Sequence, residues 1–284
     1  MKALSECFSC VLAQAWRNLY EWDGNENQKF EAMIKSVKNL GNAHYGMKPI
    51  ELSKLANDAI KEFTGIEDFY ALRKKRLNDS ALGIVSDVIE LARRSSNPLK
   101  TLAISAILGN HLDFGVKNVE LDQRFVDLVK FSTLSIDDFS LFMNKLLNAK
   151  ILLYVLDNTG EVVFDKAFID KIESDFNVKV KVAVRSAPII NDVTESDALY
   201  VGFNKNDIIE SGTTMAGMSL NVASKEFISI WNRADLIISK GQGNFEGLEE
   251  VHDERLFFLL EAKCPVVAKM LKVKVGGTVL KNWK

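Results

Sequence analysis

Apolar positions in the first half of the chain recur three and four residues apart, as in Phe30-Glu-Ala-Met-Ile-Lys-Ser-Val37 and Ala81-Leu-Gly-Ile-Val-Ser-Asp-Val-Ile-Glu-Leu91. That spacing puts them on one face of an α-helix. Up to about residue 150 the chain therefore reads as helical, with no solenoid repeat. Ser135-Ile-Asp-Asp138, just before Phe139-Ser-Leu-Phe-Met-Asn-Lys-Leu-Leu147, has the form of a capping box that opens the last of these helices.

From Ile151 the pattern changes to short, continuous apolar runs separated by helical stretches: Ile151 to Leu156, Val178 to Val184, Asp207 to Glu210, Leu236 to Ile238, and a weaker Thr278-Val-Leu280. Runs of this kind, with helices between them, mark parallel strands covered on both faces. The expected fold is α/β: a three-layer α/β/α domain with a mainly parallel sheet at 96–284, behind an all-helical N-terminal domain at 1–95. No Gly/Pro-rich linker marks the junction. The boundary is accordingly placed between about 90 and 150, with some helices before 150 expected to pack on the sheet.

Composition narrows the function classes. With 284 residues and 47% hydrophobic content, the chain can bury a large core. Its 36 basic and 38 acidic residues balance, and the longest basic run is Arg73-Lys-Lys-Arg76, the pattern of a solvated helix face. Neither is an electrostatic footprint for nucleic acid. The opening Met-Lys-Ala-Leu-Ser-Glu-Cys7 lacks an apolar signal core, and no apolar run approaches the roughly 20 residues of a membrane span. The expectation is a soluble, cytoplasmic protein with no membrane or nucleic-acid partner. Three cysteines, an odd number, do not suggest a disulfide framework.

In a parallel sheet with right-handed connections, the residues that follow each strand gather on one edge, where ligands bind. Those positions hold Asp157-Asn158-Thr-Gly-Glu161, Arg185-Ser-Ala-Pro-Ile-Ile-Asn191-Asp192-Val-Thr194, Ser211-Gly-Thr213-Thr214 and Lys240-Gly-Gln-Gly-Asn244-Phe-Glu246. Asp157, Asn158 and Asp192 offer the hard oxygen ligands that Mg²⁺ or Mn²⁺ prefers. Arg185 and Lys240 add positive charge, while Ser211, Thr213 and the Gly241-Gln-Gly turn offer donors to an anion. Each piece has an ordinary reading as well: Asn or Asp before Gly makes a turn, Thr194-Glu-Ser-Asp197 caps a helix, and Gly-Gln-Gly makes a tight loop. Their recurrence at four strand ends favours a site.

As a set, Asp157-Asn-Thr-Gly-Glu161 with Phe164-Asp165, Pro188-Ile-Ile-Asn-Asp-Val-Thr194, Lys240-Gly-Gln-Gly-Asn-Phe-Glu246, Gly109-Asn-His-Leu-Asp113 and Cys7-Phe-Ser-Cys10 resemble the damage-control phosphatase family, formerly domain of unknown function 89. The likeness spans nearly the whole chain and is nearest to the short microbial branch with an N-terminal C-x-x-C. The resemblance implies a phosphatase that uses a divalent cation (Mg, Mn, Co or Ni) on small phosphorylated metabolites, often damaged or surplus ones. By position, it implies Asp157, Asn158 and Asp192 as metal ligands. It also implies Asn110 and Asp113 at the same site, Lys240 with Asn244 in the Lys-Gly-x-x-Asn loop, and Lys263 at the phosphate. On this reading the metal would activate a water, Lys240 and Arg185 would neutralise charge, and Asp113 or Glu161 would be the general base. The oligomeric state is left open.

Cys7 and Cys10 read either as small residues packed on a helix or as part of a site completed on folding by Cys264 or His44. His111, beside Asn110, is read as an ordinary hydrogen-bonded histidine that could approach the cleft. A haloacid-dehalogenase-like phosphatase would carry Asp-x-Asp, but position 159 is Thr. A P-loop nucleotidase would need Gly-Lys-Ser/Thr, which Ser239-Lys240-Gly-Gln-Gly lacks. Two alternatives remain: a non-catalytic phospho-metabolite-binding module, and an S-adenosylmethionine-dependent carboxyl methyltransferase, for which no G-x-G-x-x-G turn follows an early strand.

Overall fold

The computed structural model describes residues 1–109 and 123–284. The chain begins with three helices, α1 (Ser5–Tyr20), α2 (Glu26–Leu40) and α3 (Pro49–Thr64), followed by α4 (Ala71–Arg94), α5 (Pro98–Leu108) and α6 (Gln123–Phe131). A short strand β1 (Ile136–Asp137) and helix α7 (Phe139–Leu146) lead into the alternating part: β2 (Ile151–Val155), α8 (Glu161–Asp175), β3 (Lys179–Val184), α9 (Glu195–Tyr200), β4 (Ile208–Glu210), α10 (Lys225–Arg233), β5 (Leu236–Lys240), α11 (Gly241–Leu248), β6 (Leu256–Glu261), α12 (Pro265–Leu271) and β7 (Thr278–Asn282). No helix among the described residues is long and apolar enough to cross a membrane.

The strands form one sheet in the order β1-β7-β6-β5-β2-β3-β4. β2 to β6 run parallel, in registers such as Tyr154 opposite Val182 and Ile238. β7 runs antiparallel to β6, and β1 runs with β7. The sheet is mainly parallel, as expected from the sequence, whose pattern did not single out β6 or β1. Leu256-Phe-Phe-Leu-Leu-Glu261 is buried throughout, so it shows no alternation by which to tell a strand from a buried helix segment. The expected capping box also differs: Ile136 and Asp137 pair with β7, and Asp137 Oδ1 accepts from the Phe139 amide at 3.2 Å. Thr194 and Asp197 do form a capping box on α9, the Thr194 amide donating to Asp197 Oδ2 at 2.9 Å.

Successive strand residues alternate between two cores, as pleating requires. Leu152, Tyr154, Val182 and Ile238 face Val88, Leu102, Phe142 and Phe168 of α4, α5, α7 and α8. Leu153, Val155, Ile237 and Phe258 face Phe227, Phe245 and Val267 of α10, α11 and α12. Each fully buried Phe or Leu contributes roughly 1.5–3 kcal/mol. A third core of Val11, Leu19, Leu52 and Ile60 holds α1, α2 and α3 together. The part with its own core therefore ends after α3, whereas α4, placed within the helical domain at 1–95, packs on the sheet layer. Strand order reverses between β2 and β5, the position where open α/β sheets form a ligand crevice.

Two lysines pin the helical cap over that crevice. Lys48 Nζ donates to the Gly247 carbonyl at 2.6 Å, and Lys61 Nζ donates to the Pro188 carbonyl at 2.5 Å.

Candidate metal and phosphate site

β2 ends at the crevice, and its next residues, Asp157 to Gly160, turn into α8. The Asp157 carbonyl accepts from the Val193 amide at 2.8 Å, and Asn158 bridges to Asp192 in antiparallel fashion. The loop after β2 is thus tied to the loop after β3, so that two side chains 35 positions apart share one edge. Ile190, two residues before Asp192, has φ 47°, a left-handed conformation that is a genuine outlier for a β-branched residue.

Arg185, almost fully buried, sits behind both carboxylates. Its Nε donates to Asp192 Oδ2 at 2.7 Å, while its Nη2 lies 3.4 Å from Asp157 Oδ1 and donates to Asn244 Oδ1 at 2.8 Å. Asn244 is fixed in turn by donating to the Lys240 and Leu156 carbonyls at 2.7 and 3.1 Å. Burial pushes the Asp192 carboxyl up to about 7, against the pull of Arg185, and the Asp157 charge adds to the rise. Two close carboxylates against one guanidinium leave a local excess of negative charge.

Asp157, Asn158 and Asp192 all open on one cavity of about 290 Å³. Asn158 Nδ2 donates to Asp157 Oδ2 at 2.7 Å. At Gly241, φ +77°, a Cβ would fall 1.8 Å from that same oxygen. Only glycine allows the start of α11 to approach the carboxylate so closely. The donors are hard oxygens with residual negative charge, and they fit a divalent cation of the Mg²⁺ or Mn²⁺ type. Among the described residues no three His, Cys, Asp or Glu side chains form a metal-holding group, so a third oxygen donor beside the two aspartates would have to be Asn158. Asn110, His111 and Asp113 lie outside the described residues.

Several expected site residues are elsewhere. Lys240, fully buried at the end of β5, points to the opposite face of the sheet: its Nζ donates to Glu161, to Asp165 Oδ1 at 2.6 Å and to the Ala106 carbonyl at 2.7 Å. Tyr154 donates to the same Asp165 oxygen at 2.6 Å. Burial holds Glu161 well above the usual carboxylate range and raises Asp165, both against the pull of Lys240. Burial works against the Lys240 charge too, but Asp165 and Glu161 outweigh it and keep the ammonium. Neither Lys240 nor Glu161 lines the cavity. They form a buried support beneath the turn, away from the cavity among the described residues. Ser211 and Thr213 also lie off the cavity. β4 lies two strands from β2 in the sheet, and Thr213 Oγ1 accepts from the Met215 amide and faces the Gly217 carbonyl at 3.2 and 3.3 Å. That loop reaches the cavity only through Ala216.

Lys263 does line the cavity, together with Gln242, Glu246 and Cys264. Glu246 was not singled out in the sequence. Its carboxyl accepts from Gln242 Nε2 at 2.8 Å, and burial pushes it up to about 7. The opposite wall is the helical cap: Cys10, Val11, Gln14 and Arg17 from α1, and Pro49, Ile50 and Ser53 from α3. The periodicity of α1 announced a buried face; nothing in it announced that part of this face closes a pocket. Cys7 packs partly against the helical core, and Cys10 faces the cavity. Burial raises both thiols, each of which also feels Cys264 and Glu246. His44 lies apart, beside the Tyr45 carbonyl.

A family model, "Damage-control phosphatase ARMT1-like domain", matches residues 3–279. A damage-control phosphatase of Pyrococcus horikoshii is 35% identical over 98% of this chain and 97% of its own length. One from Archaeoglobus fulgidus is 30% identical over 99% of each. The crystal structure of a DUF89 family protein from Pyrococcus horikoshii superimposes with a TM-score of 0.91 at 34% identity, covering 100% of both chains.

Proposed function

Because the chain belongs to the ARMT1-like damage-control phosphatase family, we propose that it is a phosphatase that uses a divalent cation to hydrolyse small phosphorylated metabolites, such as sugar phosphates or related damaged metabolites. The names of its relatives support the phosphatase role. The metal dependence rests on one observation: Asp157, Asn158 and Asp192 open together on a single cavity, with Arg185 contacting both carboxylates.

A divalent cation of the Mg²⁺, Mn²⁺, Co²⁺ or Ni²⁺ class, held by these three side chains, would polarise a phosphoryl oxygen and lower the pKa of a bound water. Arg185 fixes the two carboxylates in register and offsets part of their repulsion. Lys263, which also lines the cavity, would attract the phosphate. With Glu161 engaged by Lys240, the proton acceptor of the proposal is Asp113. The cap forms one wall of the cavity and brings low-dielectric protein beside the charges, which strengthens their interactions.

The test is phosphate release from a panel of phosphate esters by metal-stripped protein resupplied with each of the four cations. Asp157→Asn and Asp192→Asn are expected to lower release by roughly 10³-fold or more and to weaken Mn²⁺ binding, with far-UV circular dichroism unchanged. Near-normal turnover in both variants overturns the proposal. Tight binding of phosphorylated metabolites without turnover in any metal would make the protein a binding module instead.

A further inference from the structure

The cavity has two walls of different chemistry. The sheet edge carries the acids Asp157, Asp192 and Glu246 with Lys263, while the cap wall from α1 and α3 carries one charged residue, Arg17. The other polar cap residues on the cavity are already engaged: Ser53 Oγ donates to Gln14 Oε1, which Asn57 Nδ2 also approaches at 3.3 Å. Arg17, by contrast, has no hydrogen bond or ion pair among the described residues, and its charge acts on the Cys10 thiol.

An arginine in the last turn of a helix has an ordinary use, complementing the helix dipole. That use asks only for charge near the end and is indifferent to the face. Arg17 instead falls on the stripe Cys10-Val11-Gln14-Arg17, whose four residues all line a cavity the size of a small metabolite, and a guanidinium carries five donors.

We propose that Arg17 reads a second anionic group, carboxylate or phosphate, on the far end of the phosphorylated substrate, so that the preferred substrates are small phosphate esters carrying two separate negative centres. The ester phosphate goes to the Asp157–Asp192 edge, and the second anion goes to the cap. This rests on the phosphatase reading and adds a substrate class to it. A planar guanidinium suits both carboxylate and phosphate.

The test compares 3-phosphoglycerate with glycerol 3-phosphate, which differ by the second anion, in wild type, Arg17→Gln and Arg17→Lys. The wild type is expected to favour 3-phosphoglycerate in kcat/KM by at least about tenfold. Arg17→Gln should bring the two within about twofold, and Arg17→Lys should fall between. Titration calorimetry of metal-free protein with the same two esters should show the same margin and the same loss. If neither ester is hydrolysed, the calorimetric margin alone decides the role of Arg17, while the phosphatase reading stands or falls on the wider ester panel. A wild type without preference, or a preference that survives in Arg17→Gln, overturns the proposal.

Discussion

Arg185 Nε donates to Asp192 Oδ2 at 2.7 Å, and both side chains are buried. Removing one partner of a buried pair costs about 3–5 kcal/mol, because the other charge is left uncompensated. Arg185→Met leaves Asp157 and Asp192 facing each other with no cation between them. The variant should unfold at clearly lower urea in EDTA, and saturating Mn²⁺ should close most of the gap to wild type, since a bound cation takes over the neutralisation. Urea unfolding of both proteins with and without metal measures this, and an equal metal increment in the two would sink it.

Glu246 gives the metal-free protein a pH dependence of definite sign. Burial raises its folded pKa from the ordinary 4.5 to about 7. The folded state therefore holds the proton more tightly than the unfolded one. The associated stability is fully present below about pH 4.5 and is lost as pH rises through about 7, with an upper bound of about 3 kcal/mol at 1.36 kcal/mol per unit. Glu246→Gln should accordingly be more stable than wild type at pH 8 and lose that advantage at pH 5. Chemical unfolding in EDTA at pH 5, 6, 7 and 8 tests the sign; parallel profiles would contradict it.

Ile190, whose side chain reaches the cavity, carries the left-handed strain described above. Such strain costs about 1–3 kcal/mol. Ile190→Gly relieves it, but loses side-chain packing and gains unfolded-state entropy, so the effects nearly cancel. The expected result is a melting temperature within about 2 °C of wild type together with several-fold weaker Mn²⁺ binding, because the turn holding Asp192 loosens. A loss of 6 °C or more would mean the site is unstrained.

The sheet's central strands were legible because a strand buried on both faces leaves a continuous apolar run, and Asp157, Asn158 and Asp192 were legible because they follow such runs. β6 carries a continuous run of the same kind and was not assigned, since such a run by itself does not separate a strand from a buried helix segment. Lys240, Glu161 and Asp165 show the limit most clearly. Their residue types suit a phosphate site, but which face of the sheet a side chain takes depends on strand register, and register put Lys240 against α8 instead. Arg17 and Gln14 belong to the wall opposite, brought there by the docking of one core on another, which no local pattern encodes.

Gly241→Ala separates backbone cost from site cost. Gly241 has φ +77°, and an added Cβ would fall 1.8 Å from Asp157 Oδ2. The left-handed conformation alone costs an alanine about 1 kcal/mol, the amount expected at Gly65, which has φ +71° and open space around its Cα. Gly65→Ala should therefore lower the melting temperature by about 2–4 °C and leave phosphate release and Mn²⁺ affinity as they are. Gly241→Ala must also push the Asp157 carboxylate off its position beside Asn158 and Arg185. Its melting temperature should fall further than that of Gly65→Ala, Mn²⁺ affinity should drop at least tenfold, and metal-dependent phosphate release should drop about 10²-fold or more. If the two variants lose stability equally and both keep wild-type metal affinity, Asp157 is not held against the start of α11, and the tight approach at the switch point has no part in building the cation site.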